Sequence, residues 1–169
     1  MKVTVKRTVK KDGLKKYEAG IKGINGKQVN VGMPTGSEQA YIAAIHEWGV
    51  NIAVTDKMRR WFIAQGRPLK KSTTQIVIPE RSFFRNGMDA EGSKIVDNYE
   101  KLVGNVMAGE LDADNFLNAL GTDLAGAIKD YATALRSPPN SGFTIERKGS
   151  SNPLVDTGDM IGAIAYKIK

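Results

Sequence analysis

An α+β domain, with a mostly antiparallel sheet packed against two or more helices, is the fold class this sequence predicts. Three observations carry it. Alternating apolar residues gather at both ends, in "VTVKRTV" and "AIAYKI"; helical periodicity fills the middle; and strands and helices come in runs rather than in regular βαβ alternation. A length of 169 residues allows one core and little more, so a single domain over 1–169 is expected, with residues 1–16 a basic N-terminal strand or arm.

Val3, Val5 and Val9 stand at strand spacing, and "KKDG" then offers a turn. Asn25-Gly26 is a strong hairpin signal, because both central residues of the favoured turn need positive φ, and it predicts strands at about 17–24 and 27–33. After Pro34, Ser37 caps a helix that carries Ala40, Ile42, Ala43, Ile45 and Trp48 and stops at Gly49. Thr55 caps a shorter one with Met58, Trp61 and Phe62 on one face and Gly66 as its stop. "TTQIVIPER" reads as a strand that Pro79 ends, since proline has no N–H to donate.

Residues 82–135 are expected to be mostly helical, in two long helices. One carries the stripe Ile95, Val96, Tyr99, Leu102, Val103 and Val106; the other carries Phe116, Leu117, Leu120, Leu124, Ile128 and Tyr131, with Asp112 or Asp114 as its cap. "SPPNSG" breaks the second helix. Ile164, Tyr166 and Ile168 then line one side of a closing strand.

Hydrophobic residues make up 41% and charged residues 25%, which places the chain among folding globular sequences. No apolar run approaches the roughly 18–20 residues needed to cross a bilayer, and the N-terminus alternates where a signal peptide would be continuously apolar. No membrane partner and a cytoplasmic protein are therefore expected. The absence of cysteine excludes a disulfide scaffold and thiolate metal sites, and with His46 the only histidine neither a zinc centre nor any other cofactor is expected. The net charge of +7 is densest in the first sixteen residues. It suits either an arm near phosphates or an acidic partner, or a solvated strand face that discourages edge-to-edge aggregation.

"PLVDTG" has the local look of an aspartic-protease turn, in which two carboxylates share one proton. Such an enzyme needs a flap and further strands after the turn, and too few residues follow Gly158 to build them. The other reading makes Asp156 or Thr157 a helix or turn cap, with Gly158 permitting a tight backbone. His46-Glu47 resembles the start of a zincin motif, but the second histidine is missing and position 50 is Val50. "GIKGINGK" lacks the spacing of a phosphate loop. An enzyme is not expected. "IPERSFFRNGMD" sets Phe83 and Phe84 between Arg81 and Arg85, which leaves two readings: one ring faces a partner, or both fill the core at a bend.

In order and spacing, "YIAAIHEWGV", "IPERSFFR" and "NPLVDTGDMIGAIAYKI" resemble the tail-completion or head-tail joining proteins of long-tailed bacteriophages, also called virion morphogenesis proteins. The resemblance covers about residues 40–169. Its motif positions are His46, Glu47, Trp48, Gly49, Pro79, Arg81, Phe83, Phe84, Arg85, Pro153, Leu154, Asp156, Thr157 and Gly158. Trp48 replaces the commoner Phe, Ala163 stands where Ser is frequent, and a long insert separates the first two motifs. The resemblance implies a non-enzymatic subunit of a bacteriophage or prophage virion, which forms a ring with itself, a hexamer being favoured, and joins the head connector or adaptor to the tail tube. It implies a place in the virion neck or tail end, after assembly in the host bacterial cytoplasm. The alternative is a basic nucleic-acid-binding module using "KVTVKRTVKK" and Tyr17, and non-specific DNA contact by the arm is compatible with both readings.

Overall fold

The computed structural model describes residues 11–169. The strand expected over residues 3–9 lies outside them. The first described element is a helix, α1 (Lys11–Ile24), where a turn at "KKDG" and a strand at 17–24 were expected. The period decides it: Leu14, Tyr17, Ile21 and Ile24 recur at the spacing of one helical stripe. Its glycines are poor helix formers in isolation, and they are what lets α1 pack. A Cβ on Gly20 would stand 2.3 Å from the Val106 carbonyl oxygen, and one on Gly23 2.6 Å from the Ala113 Cβ. Gly26, at φ 73°, ends the helix instead of turning a hairpin, with the Asn25 N–H donating to the Ile21 carbonyl at 2.8 Å. Both roles need the same left-handed glycine.

β1 (Val29–Gly32) pairs antiparallel with the closing strand β4 (Ala165–Ile168), Val29 facing Ile168 and Val31 facing Tyr166. α2 (Glu38–Trp48) starts where expected, the Ser37 hydroxyl accepting from the Ala40 N–H at 3.1 Å. β2 (Val50–Ala53) was not expected; it pairs antiparallel with β3 (Gln75–Ile78), Val50 opposite Ile78. Between them α3 (Asp56–Ala64) is capped by Thr55, as its sequence predicts, yet none of its residues is fully buried. The rings of Trp61, Phe62 and Phe143 fasten it to the later chain, with centroids 4.9 to 6.3 Å apart. An Arg67–Glu146 ion pair lies beside them.

The first of the two expected long helices is broken. α4 (Phe83–Gly87) runs through a π turn at Met88–Gly92 into α5 (Ser93–Glu100), and after a turn at residues 101–102 α6 (Val103–Met107) follows. The second is α7 (Ala113–Ala134), capped by Asp112. Two short helices complete the chain, α8 (Gly142–Lys148) and α9 (Asp159–Gly162).

α7 organises the interior. Its later turns bring Ala125, Ile128 and Ala132 into a cluster with Ala43, Phe83, Leu154, Met160, Ile161 and Ile164, and its first turns bring Phe116 and Leu117 against Val106. At Gly121 the Tyr166 ring lies so close that a Cβ would approach it to 2.3 Å, which seats the β1–β4 sheet on the helix. Over the described residues the chain is thus α+β, with two antiparallel sheets of two strands each rather than one larger sheet.

The glycine face of α1 gives a direct check. Gly20→Ala should lower stability by about 1–2 kcal/mol, because the overpacking exceeds the gain in helix propensity. Gly13→Ala, with open space around the new Cβ, should be neutral or slightly stabilising. Thermal melts of the two variants decide it, and equal effects would remove the close packing of α1.

Candidate functional site

The three segments that carry the resemblance come together. Gly49 ends α2 at φ 68°, and a Cβ there would stand 2.8 Å from the Glu80 amide nitrogen, so only glycine lets residues 46–49 lie against residues 78–80. The Arg81 N–H donates to the His46 carbonyl at 2.7 Å. Glu47, the next residue, is buried, and its carboxylate accepts from the backbone N–H groups of Phe84 (2.9 Å) and Arg85 (3.2 Å) and from Arg85 Nε (3.0 Å). It thereby serves the unpaired donors at the start of α4, where negative charge is favoured.

Arg85 is held from several sides. Its guanidinium also donates to the Glu47 carbonyl, to the Ser82 hydroxyl and, at 2.6 Å, to the Glu80 carboxylate, and it lies 4.0 Å over the Trp48 ring. These contacts raise its pKa above the ordinary value, Glu47 contributing most. Glu80 is held below its ordinary value, first by the Ser82 hydroxyl and then by Arg85.

Arg81 points the other way, into the protein, and is 3% exposed. It has no carboxylate partner among the described residues. Its Nε donates to the Pro138 carbonyl (2.8 Å), its Nη2 to the Pro139 carbonyl and the Asn140 side-chain oxygen (3.1 Å each), and its Nη1 meets His46 Nδ1 at 3.2 Å. Four acceptors around one guanidinium do the work a buried carboxylate would otherwise do. Asn140 in turn donates to the Pro153 carbonyl at 3.4 Å. Pro153 is fully buried, and Leu154 lies in the main apolar cluster. Motif one therefore reaches motif three through Arg81 and Asn140.

Since Arg81 donates to Nδ1, the His46 proton sits on Nε2. Its pKa is lowered from 6.5 to about 4 by burial first, then by the charges of Arg81 and Lys148. The Lys148 ammonium reaches the carbonyls of Asn152 (3.2 Å) and Pro153 (3.5 Å).

Two alternatives that the sequence left open are decided here. Asp156 caps nothing: among the described residues it accepts no hydrogen bond, and its charge acts on Lys148 instead. Gly158, at φ 91°, is the N-cap of α9, and the side-chain hydrogen bond at this turn is made by Thr157, whose hydroxyl accepts from the Asp159 N–H at 3.3 Å. The phenylalanine question resolves to the core. Phe83 is fully buried, and Phe84 is half-buried against the same cluster, with ring centroids 4.9 Å apart. The large side chains of α2 that stand most exposed are Trp48 and, about two turns earlier on the same face, Tyr41, at 64% and 69%. Sequence reading passed over Asn140 and Lys148, because "SPPNSG" registered only as a helix breaker. An asparagine beside two prolines was the available signal.

Comparison with protein-family models, with curated proteins and with solved structures returned no match for this chain.

Arg81→Ala leaves two carbonyls and Asn140 without their donor and should lower stability by about 3 kcal/mol. Asp156→Asn should change it by no more than about 0.5 kcal/mol. Denaturant unfolding of both tests the division, and a large loss at Asp156 would restore it as a structural cap.

The His46 shift also sets a pH dependence. The unfolded chain takes up this proton near pH 6.5 and the folded one near pH 4, so the neutral ring's contribution is complete above pH 6.5 and is lost as pH falls towards 4. Glu80 acts lower, below its ordinary 4.5. His46→Gln keeps an acceptor for Arg81 and should flatten the fall in melting temperature between pH 6.5 and 4. An unchanged slope would assign that fall to other groups.

Proposed function

We propose that this chain is a structural bacteriophage or prophage assembly protein, a ring-forming subunit at the neck that joins the head connector to the tail tube. One observation carries the reading. The three segments that resemble tail-completion proteins, separated by up to a hundred residues, are tied into one unit by Glu47, Arg81 and Asn140. That unit is built to hold a shape. Its charged groups are spent on backbone carbonyls and amides and on one another, and what it offers to the outside is Tyr41, Ala44 and Trp48 along one face of α2, with Arg85 clamped over the indole. Tyrosine, tryptophan and arginine, pre-organised and exposed together, are the residue types that anchor protein contacts. A closed ring needs each copy to present such a face to a different face of its neighbour.

The nucleic-acid reading has one observation of its own. Residues 57–71 hold six basic residues and no acidic one, and Trp61 among them is exposed. Arg59 and Arg67 are already engaged, by the carbonyls of Lys70 and Thr73 and by Glu146.

Trp48→Ala should fold, losing about 0.5–1 kcal/mol with the exposed cation–π contact, and should weaken self-association and incorporation into tails at least tenfold. Sedimentation and virion assembly report both. Unchanged assembly sinks the α2 face as the contact, and duplex affinity that falls steeply with salt favours the second reading.

A further inference from the structure

The sheet formed by β2 and β3 leaves β3 unpaired on its second edge among the described residues. A cavity of about 820 Å³ meets Ile76, Val77, Ile78 and Pro79 in succession. Successive residues of a strand face opposite sides of a sheet, so a cavity that touches all of them runs beside the strand and not over one face. β3 carries no charge, and Val77 is 63% exposed. Such an edge is a template for another strand, and proteins ordinarily blunt or cover it.

The far walls of the groove supply a sign. Glu38, at the start of α2, and Asp156 border it, and among the described residues neither accepts a hydrogen bond. Two of its cations are taken up internally, Arg81 by the carbonyls of Pro138 and Pro139 and Lys148 by those of Asn152 and Pro153. Arg147 is the remaining basic wall residue.

The sequence contains a segment of matching chemistry. Residues 2–10, "KVTVKRTVK", alternate β-branched with basic residues and hold four positive charges and no negative one. A sequence of that pattern has the composition of strand segments, and a free sheet edge offers its backbone N–H and C=O groups partners. It leads into α1, which is anchored in the second apolar cluster against α6 and α7. The groove, by contrast, is walled by α2, α8 and α9.

We propose that the groove along the open edge of β3 receives residues 2–10 of a second copy of this chain as an added strand. Main-chain hydrogen bonds to β3 hold it, and its lysines and arginine meet Glu38 and Asp156. Arm and groove are different surfaces, so the contact is head-to-tail and propagates from copy to copy. The inference rests on the self-association in the ring reading and not on the place in the virion.

The chain has no cysteine, which permits a clean test on the full-length protein. Val5→Cys is mixed with a differently tagged Val77→Cys and treated with a short bis-maleimide. The expected result is a cross-linked heterodimer at least tenfold more abundant than with Gly126→Cys, whose added Cβ would stand in open space on α7. Glu38→Lys with Asp156→Lys in the Val77→Cys chain should reduce the yield severalfold. Equal yield at Gly126→Cys overturns the proposal. So does a Val5→Cys, Val77→Cys double variant that, on dilution, cross-links within one chain rather than between chains. Self-association that depends on Trp48 but gives no arm cross-link would remove the arm and leave the ring. A cross-link without entry into tails would keep the arm contact and remove the place in the virion.

Discussion

A guanidinium in the interior of a protein with no carboxylate to meet it among the described residues has to be surrounded by dipoles, and Arg81 has gathered them from two parts of the chain: two proline carbonyls and an asparagine amide from residues 138–140, and a histidine ring from α2. None of these acceptors can shift without exposing the charge to an apolar neighbourhood. The end of α2, the start of α4, the proline loop and the "PLVDTG" segment are therefore held to one another around this side chain, with Glu47 and Asn140 completing the ties. Lysine could not replace it, since an ammonium lacks the planar fork that reaches three directions.

Beside that inward-facing arginine stands an outward-facing one. Arg85 shares the Glu47 side of the same turn but spends its donors on Glu47, Glu80 and Ser82, and lays its plane on Trp48. The two arginines, four residues apart, divide the labour of the motif: one fixes the scaffold, the other stiffens an exposed aromatic. The spacing "ERSFFR" makes this possible, because α4 begins at Phe83 and turns Arg85 away from the direction taken by Arg81.

Much of this was legible in the sequence where a local rule sufficed. Ser37, Thr55 and Asp112 announce their helices through side-chain caps, and Ile164, Tyr166 and Ile168 announce a half-buried closing strand. α1 was passed over, because its glycines argue against the helical stripe of Leu14, Tyr17, Ile21 and Ile24 until Val106 and Ala113 are known to lie against them. β2 was missed because four residues directly after a helix-ending glycine give no separate signal. At the site, the motif residues could be named but their wiring could not. In the sequence every acid is an equal partner for Arg81, and only the fold shows that it takes carbonyls 57 and 58 residues away. Likewise the choice between Phe83 and Phe84 depends on where a helix begins, and α4 begins so that both rings turn to the core.

The pairing of Val50 with Ile78 means that the chain leaves the body and returns to it at adjacent points. Everything between, including α3, hangs on a two-strand stem and is steadied by three aromatic rings and one ion pair. The body senses the stem and not its contents, since closing a longer loop on a fixed stem adds only a few tenths of a kcal/mol. This excursion can thus be lengthened, shortened or resurfaced without disturbing the packing around α7, which makes it the part of the molecule where a change of neighbour is easiest to accommodate.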